Sequence, residues 1–187
     1  MEKRPIDVAR IARLVNHGPT VLASCHYEGV SNAITLAWCT PVSIDPPMLA
    51  IAVAPARFSH RLIQGAAEFA VNVPGSALLP AVWLCGTRSG RDTDKFAEAG
   101  LTKGDGESVG APLINECFAH IECRLVDAPT EGDHTVFVGE ALSACVEPDA
   151  FDGHLRLVEP YHTLHHLGGP RFLSSSGELL KAAPESL

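Results

Sequence analysis

The stretch Asn32–Pro47 reads NAITLAWCTPVSIDPP. Its even positions are mostly large and apolar, at Ile34, Leu36, Trp38, Val42 and Ile44, with Thr40 the exception. Its odd positions, Thr35, Ala37, Cys39, Pro41, Ser43 and Asp45, are small or polar. Side chains at period two stand on opposite faces of a β-strand, so the stretch is predicted to be extended. An ordinary solvated strand face carries Lys, Glu or Gln. This face carries none of them, and the question is what lies against it.

Outward from this stretch the chain continues in short strands. On the N-terminal side, TVLASCHYEGVSNAITLAW reads as two strands around a turn at Glu28-Gly29. On the C-terminal side, PMLAIAVA is an apolar run between Pro47 and Pro55, predicted to be a strand buried on both faces. SHRLIQGAAEF reads as a helix and EFAVNVP as a strand. SALLPAVWLCG reads as a helix carrying a proline, or as a short helix and a turn. Thr87 to Pro112 is loop-rich, with one short helix at DTDKFAEAG, started by Asp92 or Thr93 and ended by Gly100. CFAHIECRLVDA alternates as a half-buried strand. GDHTVFVGEALSACVE is a long strand in which Gly139 marks a bulge or bend. LRLVEP is expected to be a last short strand. At the start, Val8, Ile11, Leu14 and Val15 share one face of a short amphipathic helix. The tail GELLKAAPESL is expected to fray or to dock on a partner.

Strands predominate, they are short, and a few helices interrupt them. No βαβ alternation and no G-x-G-x-x-G occurs, which argues against a doubly wound nucleotide fold. A closed or partly closed antiparallel barrel fits best. The 187 residues suit one domain, 1–187, with 173–187 as a tail.

Lys plus Arg number 14 and Asp plus Glu 22, a net charge of −8 that disfavours nucleic-acid binding. A local basic site for an anion is still compatible with it. No apolar run approaches the about 20 residues needed to span a bilayer, and MEKRPIDVARIARLV shows no continuous apolar segment of signal-peptide type, so no membrane role is expected. The six cysteines show no C-x-x-C spacing and read as reduced, mostly buried thiols of a cytoplasmic protein.

Four segments could carry chemistry. In VAPARFSHRLI, Ser59 is a candidate cap for a helix whose N-terminus, with Arg57 and His60, would hold an anion. The same residues also fit a capped helix with a surface arginine. In SGRDTDKFAEAG, Lys95 falls in a first helical turn, unfavourable for a cation unless an anion sits nearby. A solvated lysine in a charged loop is the simpler reading of the same residues. His134 begins a strand after a turn, placed either to contact a ligand or to serve the fold. His162, His165 and His166 would share one face if helical, but no acidic or cysteine partner sits at ligand spacing. No metal is therefore expected. No G-x-S-x-G, H-E-x-x-H or phosphate-cradling glycine loop occurs.

Taken in order, NAITLAW, PVSIDPP, PARFSHRLI, EFAVNVP, LCGTRSGRDTDKF, APLINECFAHIEC, GDHTVFVGE and HLGGPRF resemble the flavin reductase-like family, the FMN-binding split barrels that include flavoredoxin. The resemblance runs from about the second strand to Phe172. It implies a mainly β fold with a few helices: a six-stranded antiparallel, Greek-key-like split β-barrel, homodimeric, with FMN near the interface. It implies that the flavin ring lies along Asn32 to Ser43, nearest Trp38, Cys39 and Thr40. Arg57, Ser59, His60 and Lys95 would hold the phosphate and ribityl chain, with Phe96 lining the pocket. His134 matches a histidine near the flavin or nicotinamide, the candidate catalytic residue. His166 looks like a second pocket residue, from a loop or from the partner subunit. Family members often carry Tyr where this chain has His165 and Phe172.

On this reading Thr35, Ala37, Cys39 and Ser43 stay short so that a planar ring can approach the backbone, and the large face packs into the barrel or dimer. Three functions follow. The first is an FMN oxidoreductase taking hydride from NADH or NADPH and passing electrons to a small molecule or a protein. The second is an electron carrier that binds flavin without oxidising NAD(P)H. The third is a histidine-rich metal protein.

Overall fold

A computed structural model describes residues 5–176, so the tail GELLKAAPESL, expected to fray or to dock on a partner, lies outside the described residues. A 3-10 turn at Val8–Arg10 and helix α1 (Ala12–Val15) open the chain. Strands β1 (Val21–Tyr27), β2 (Val30–Leu36), β3 (Cys39–Ser43) and β4 (Met48–Val53) follow, then helix α2 (Phe58–Ala66) and β5 (Glu68–Val73). Helices α3 (Leu79–Thr87) and α4 (Lys95–Ala99) come next, then the two-residue strands β6 (Lys103–Gly104) and β7 (Leu113–Ile114). The described residues end with β8 (Ala119–Asp127), the short β9 (Thr130–Glu131), β10 (His134–Val146), β11 (Leu164–Gly168) and β12 (Arg171–Ser174).

The main sheet runs β2-β1-β5-β8-β10-β4-β3, and every pairing is antiparallel. The mainly β fold with few helices is as expected, but the sheet differs from the six-stranded split barrel in its strand count and is not closed. Seven strands form the path, and its two ends, β2 and β3, are not hydrogen-bonded to each other. These ends are consecutive in the chain. The stretch read as one strand therefore breaks at Ala37-Trp38 and serves two edges: β2 pairs with β1, and β3 pairs with β4. The Ala52 N–H donates to the Trp38 carbonyl at 3.1 Å, which holds the bend against β4.

The core sits inside the curved sheet. Phe69, Phe137, Ile51, Val53 and Val71 are buried there, with Leu62 and Ile63 of α2 closing one end. Each such side chain contributes about 1.5–3 kcal/mol by leaving water. A second cluster packs α3 and α4 on the other face of β1 and β2, through Leu22, Val82, Cys85, Phe96 and Ile114. Gly139 is required where β10 shifts register: a Cβ there would lie 2.7 Å from the Phe69 ring.

Several local readings need correction. α4 is capped by Asp94, which accepts from the N–H groups of Phe96 and Ala97, and not by Asp92 or Thr93. Gly100 does end it, with φ of 66°. Pro80 stands in the first turn of α3, where its missing N–H costs nothing. LRLVEP forms no strand beyond a single bridge at Leu155; the last pairing is the β11–β12 hairpin. The ridge Val8, Ile11, Leu14 and Val15 faces outward, with Val8 76% exposed. Among the described residues no helix is long and apolar enough to cross a membrane.

Candidate functional site

The bend between β2 and β3 opens a cleft of about 670 Å³. One wall is the end of β2 and the bend itself, Ile34 to Trp38. Another is the small-residue run Ala52, Val53 and Ala54 where β4 ends. Gly86 of α3, His134 of β10 and His166 of β11 complete the rim. Thr35 is anchored by donating its hydroxyl to the Val82 carbonyl of α3. The Trp38 and His134 rings lie 4.7 Å apart, tilted by 40°. His134 Nδ1 meets the Asp133 carboxylate at 2.6 Å, and this bond holds Asp133 below the usual carboxylate range. The His166 ring N–H at Nε2 donates to the Gly169 carbonyl at 3.0 Å.

Past Ile34, Arg57 and Gly86 the cleft continues into a pocket of about 180 Å³. Its walls carry Arg57, Arg88, Arg91 and Lys95, and no carboxylate among the described residues. The α2 N-terminus opens here. Arg57 is its cap residue and supplies no side-chain bond, so the first-turn amides keep unpaired donors and a partial positive charge. Lys95 is only 4% exposed. Its ammonium donates to the carbonyls of Ala33 and Cys85, both at 2.8 Å, which leaves a third N–H to spare. Burial lowers its pKa; the neighbouring Cys85 and Cys25 work the other way, and the charge of Arg57 lowers it further. Asn32 and Gly90 frame the same pocket. Asn32 Nδ2 donates to Ser59 Oγ at 2.7 Å, and a Cβ on Gly90 would fall 2.2 Å from Asn32 Oδ1.

Eight residues singled out from sequence therefore come together on this continuous surface: Asn32, Thr35, Trp38, Arg57, Ser59, Lys95, His134 and His166. Five do not. His60 turns to Thr135 at 2.8 Å and packs edge-on to Phe137. Phe96 is buried in the second core cluster. Cys39 packs against the main core, where burial pushes its thiol up to about 11. Thr40 is exposed and bonds to the carbonyl of Pro41, and Ser43 lies at the far end of β3. The departures of Cys39, Thr40 and Ser43 share one cause: the chain bends at Ala37-Trp38, so β3 leaves the cleft wall, whereas His60 and Phe96 are claimed by their own packing partners. Ser59 is in the pocket but is not the helix cap, because Asn32 engages its hydroxyl.

The histidine triplet is not helical. His165 and His166 lie on β11 and point to opposite faces, while His162 precedes the strand. Among the described residues no group of three His, Cys, Asp or Glu could hold a metal ion. All six cysteines are free. Residues not foreseen include Arg88, Gly86 and the N-terminal face Ala9, Arg10, Ala12, Arg13 and Asn16. The run TRSGR was a visible basic signal for Arg88; nothing in the sequence signalled the N-terminal face.

Comparison with known proteins agrees with this architecture. An uncharacterized protein of Escherichia coli (strain K12), YddH, is 36% identical over 177 residues, covering 91% of this chain and 94% of its own. An NADH-dependent FAD reductase of Streptomyces globisporus is 30% identical over 142 residues, covering 75% of this chain and 77% of its own. The crystal structure of an FMN-binding domain of a flavin reductases-like enzyme from Shewanella baltica OS155 superposes with a TM-score of 0.81. It is 26% identical and covers 95% of this chain and 96% of its own. Residues 12–165 match the family described as flavin reductase like domain, and the chain belongs to that family.

Proposed function

We propose that this protein binds FMN and acts as an NAD(P)H-dependent flavin oxidoreductase, working as a homodimer in the cytoplasm. One observation carries the reading: a chain of net charge −8 gathers four cations and an uncapped helix N-terminus in one small pocket with no carboxylate on its walls among the described residues. Arg57 and Lys95 repel each other there, and a phosphate dianion relieves that repulsion. The fit extends to the larger cleft, whose walls of Thr35, Ala37, Ala52, Ala54 and Gly86 leave space beside the backbone for a flat ring.

When bound, the flavin supplies the hydride and electron chemistry. The protein's residues bind and orient it. Arg57, Lys95 and the first turn of α2 hold the phosphate, with Asn32 and Ser59 fixing the pocket wall. Thr35 and Ala37 keep the floor flat. Trp38 and His134 close one end, and His134 is the group placed to hold or move a proton there. The free thiols fit a reducing compartment.

The test is an absorbance titration of the purified protein with FMN, followed by rapid mixing with NADH and with NADPH. Stoichiometric binding with bleaching of the flavin band by either nucleotide supports the reading. Bound flavin that neither nucleotide bleaches assigns the protein to electron carriage instead. Failure to bind FMN defeats both.

A further inference from the structure

The N-terminal segment turns its small and basic side to the cleft. Ala9, Ala12, Arg13 and Asn16 stand at helical spacing i, i+3, i+4 and i+7, with Arg10 beside them, and all five line the cleft wall. Neither arginine side chain has a hydrogen bond or ion pair among the described residues, and the cleft walls carry no Asp or Glu. The Arg13 guanidinium is laid against the β11–β12 turn: its Nη1 would stand 3.3 Å from a Cβ at Gly168. Neither residue reaches the small pocket, which already has four cations for a single phosphate. Among the described residues, two positive charges on the rim of the large cleft are therefore left without an anion.

We infer that Arg10 and Arg13 form a clamp for the phosphates of the pyridine dinucleotide that donates the hydride, an inference that rests on the proposed flavin chemistry. A dinucleotide brings a pyrophosphate, and in NADPH a 2′-phosphate, both suited to paired guanidinium donors. Its nicotinamide must reach the floor of the cleft while its phosphates stay at the rim, and the rim is formed by the Val8–Arg10 turn and α1. The clamp is specific to the donor because the cofactor phosphate is held elsewhere.

The experiment uses the full chain loaded with FMN. The Arg10→Ala/Arg13→Ala double variant is titrated calorimetrically with NAD⁺ and with NADP⁺, and FMN affinity is measured separately by fluorescence. Both sites are exposed, so the fold is expected to persist, and thermal melting checks this. The clamp requires that nucleotide affinity fall at least about tenfold and lose most of its salt dependence, with FMN affinity unchanged within about twofold. Equal losses for the two nucleotides assign the arginines to the pyrophosphate; a loss for NADP⁺ alone assigns them to the 2′-phosphate. Unchanged nucleotide affinity overturns the inference, as does a matching loss of FMN affinity. Wild-type protein that binds FMN but neither nucleotide also overturns it, without touching the flavin assignment. Protein that binds nucleotide but no FMN defeats the flavin assignment, and the arginine variants still report on the clamp.

Discussion

The Lys95 ammonium reaches from α4 to the main-chain carbonyl of Ala33 in β2, at 2.8 Å. With its second bond to Cys85 it ties the edge of the sheet to two helices and points a charge into the phosphate pocket. Replacing it with methionine keeps the volume and removes the charge. FMN affinity is expected to fall roughly ten- to 150-fold, the equivalent of about 1.5–3 kcal/mol for a charge-assisted bond. A fluorescence titration of Lys95→Met reads this directly; unchanged affinity removes Lys95 from the phosphate site.

The same lysine gives a pH signature with two opposite signs. Burial lowers its pKa in the folded chain, so the unfolded chain binds more protons across the window between the lowered value and 10.5. Stability of the flavin-free protein contributed by this group therefore rises with pH through that window. FMN affinity falls through it, because the ammonium is being discharged. Denaturant melts and FMN titrations over the alkaline range check both signs, and both trends should vanish in Lys95→Met.

Much of this architecture is legible in the chain, but the key stretch misleads in an instructive way. The period of two from Asn32 to Ser43 is real, yet it runs through a bend, since a kink at Ala37-Trp38 interrupts pairing without resetting the alternation. Thr35 and Ala37, before the kink, do line the cleft. Cys39 and Ser43, after it, do not, so their small size has another origin: Cys39 packs on the core. Ile34 and Leu36 are buried as expected, whereas Val42 and Ile44 are exposed. Lys95 and Ser59 are legible as polar residues near helix starts, but not their burial, which depends on β2 passing behind them. A single sequence shows which side chains favour a cap or a charge; it does not show which distant backbone claims them first.

Glu122 illustrates the same limit and carries the next prediction. In alternation it reads as a strand-face carboxylate, yet it is 3% exposed and accepts the N–H groups of Glu107, Ser108 and Val109. Burial works to raise its pKa, but the bonds from Ser108, Glu107 and Val109, with Ser143, outweigh it and hold the carboxyl below its ordinary value. Its stabilising effect is complete above the unfolded carboxyl pKa and is lost as pH falls through the folded one. Glu122→Gln is expected to cost about 1–3 kcal/mol at neutral pH. It should also flatten the acid limb of a stability–pH profile measured by urea unfolding.

His134 separates binding from turnover. Its ring packs near Trp38, and its nitrogen is held by Asp133. His134→Phe keeps a flat ring beside Trp38 and removes both nitrogens. Flavin reduction by NAD(P)H should slow at least about tenfold if the histidine handles a proton in the cleft. FMN affinity should stay within about twofold, since His134 lies outside the phosphate pocket. Rapid-mixing kinetics and a flavin titration on one preparation distinguish this from a packing role, which would move affinity and stability with the rate.

An apolar surface left open among the described residues is the ground for the proposed dimer. Val42 and Ile44 project from β3 and its following turn, Ile44 with 95% of its surface exposed, and Leu142 and Val146 are exposed along the far half of β10. The Ala141 N–H bonds to the Pro47 carbonyl, so this half of β10 and the β3–β4 turn lie side by side. β3 also ends the sheet, with one edge unpaired among the described residues. A monomer seldom leaves such an apolar strip and open edge in water, and covering both with a second copy removes two costs at once. Light scattering coupled to size exclusion should give twice the chain mass for the native protein. The Val42→Asp/Ile44→Asp variant should give the single chain mass, because burying two carboxylates against apolar neighbours is strongly unfavourable. If the variant remains at twice the mass, the contact lies elsewhere, and the outward ridge of Val8, Ile11, Leu14 and Val15 is the next surface to charge.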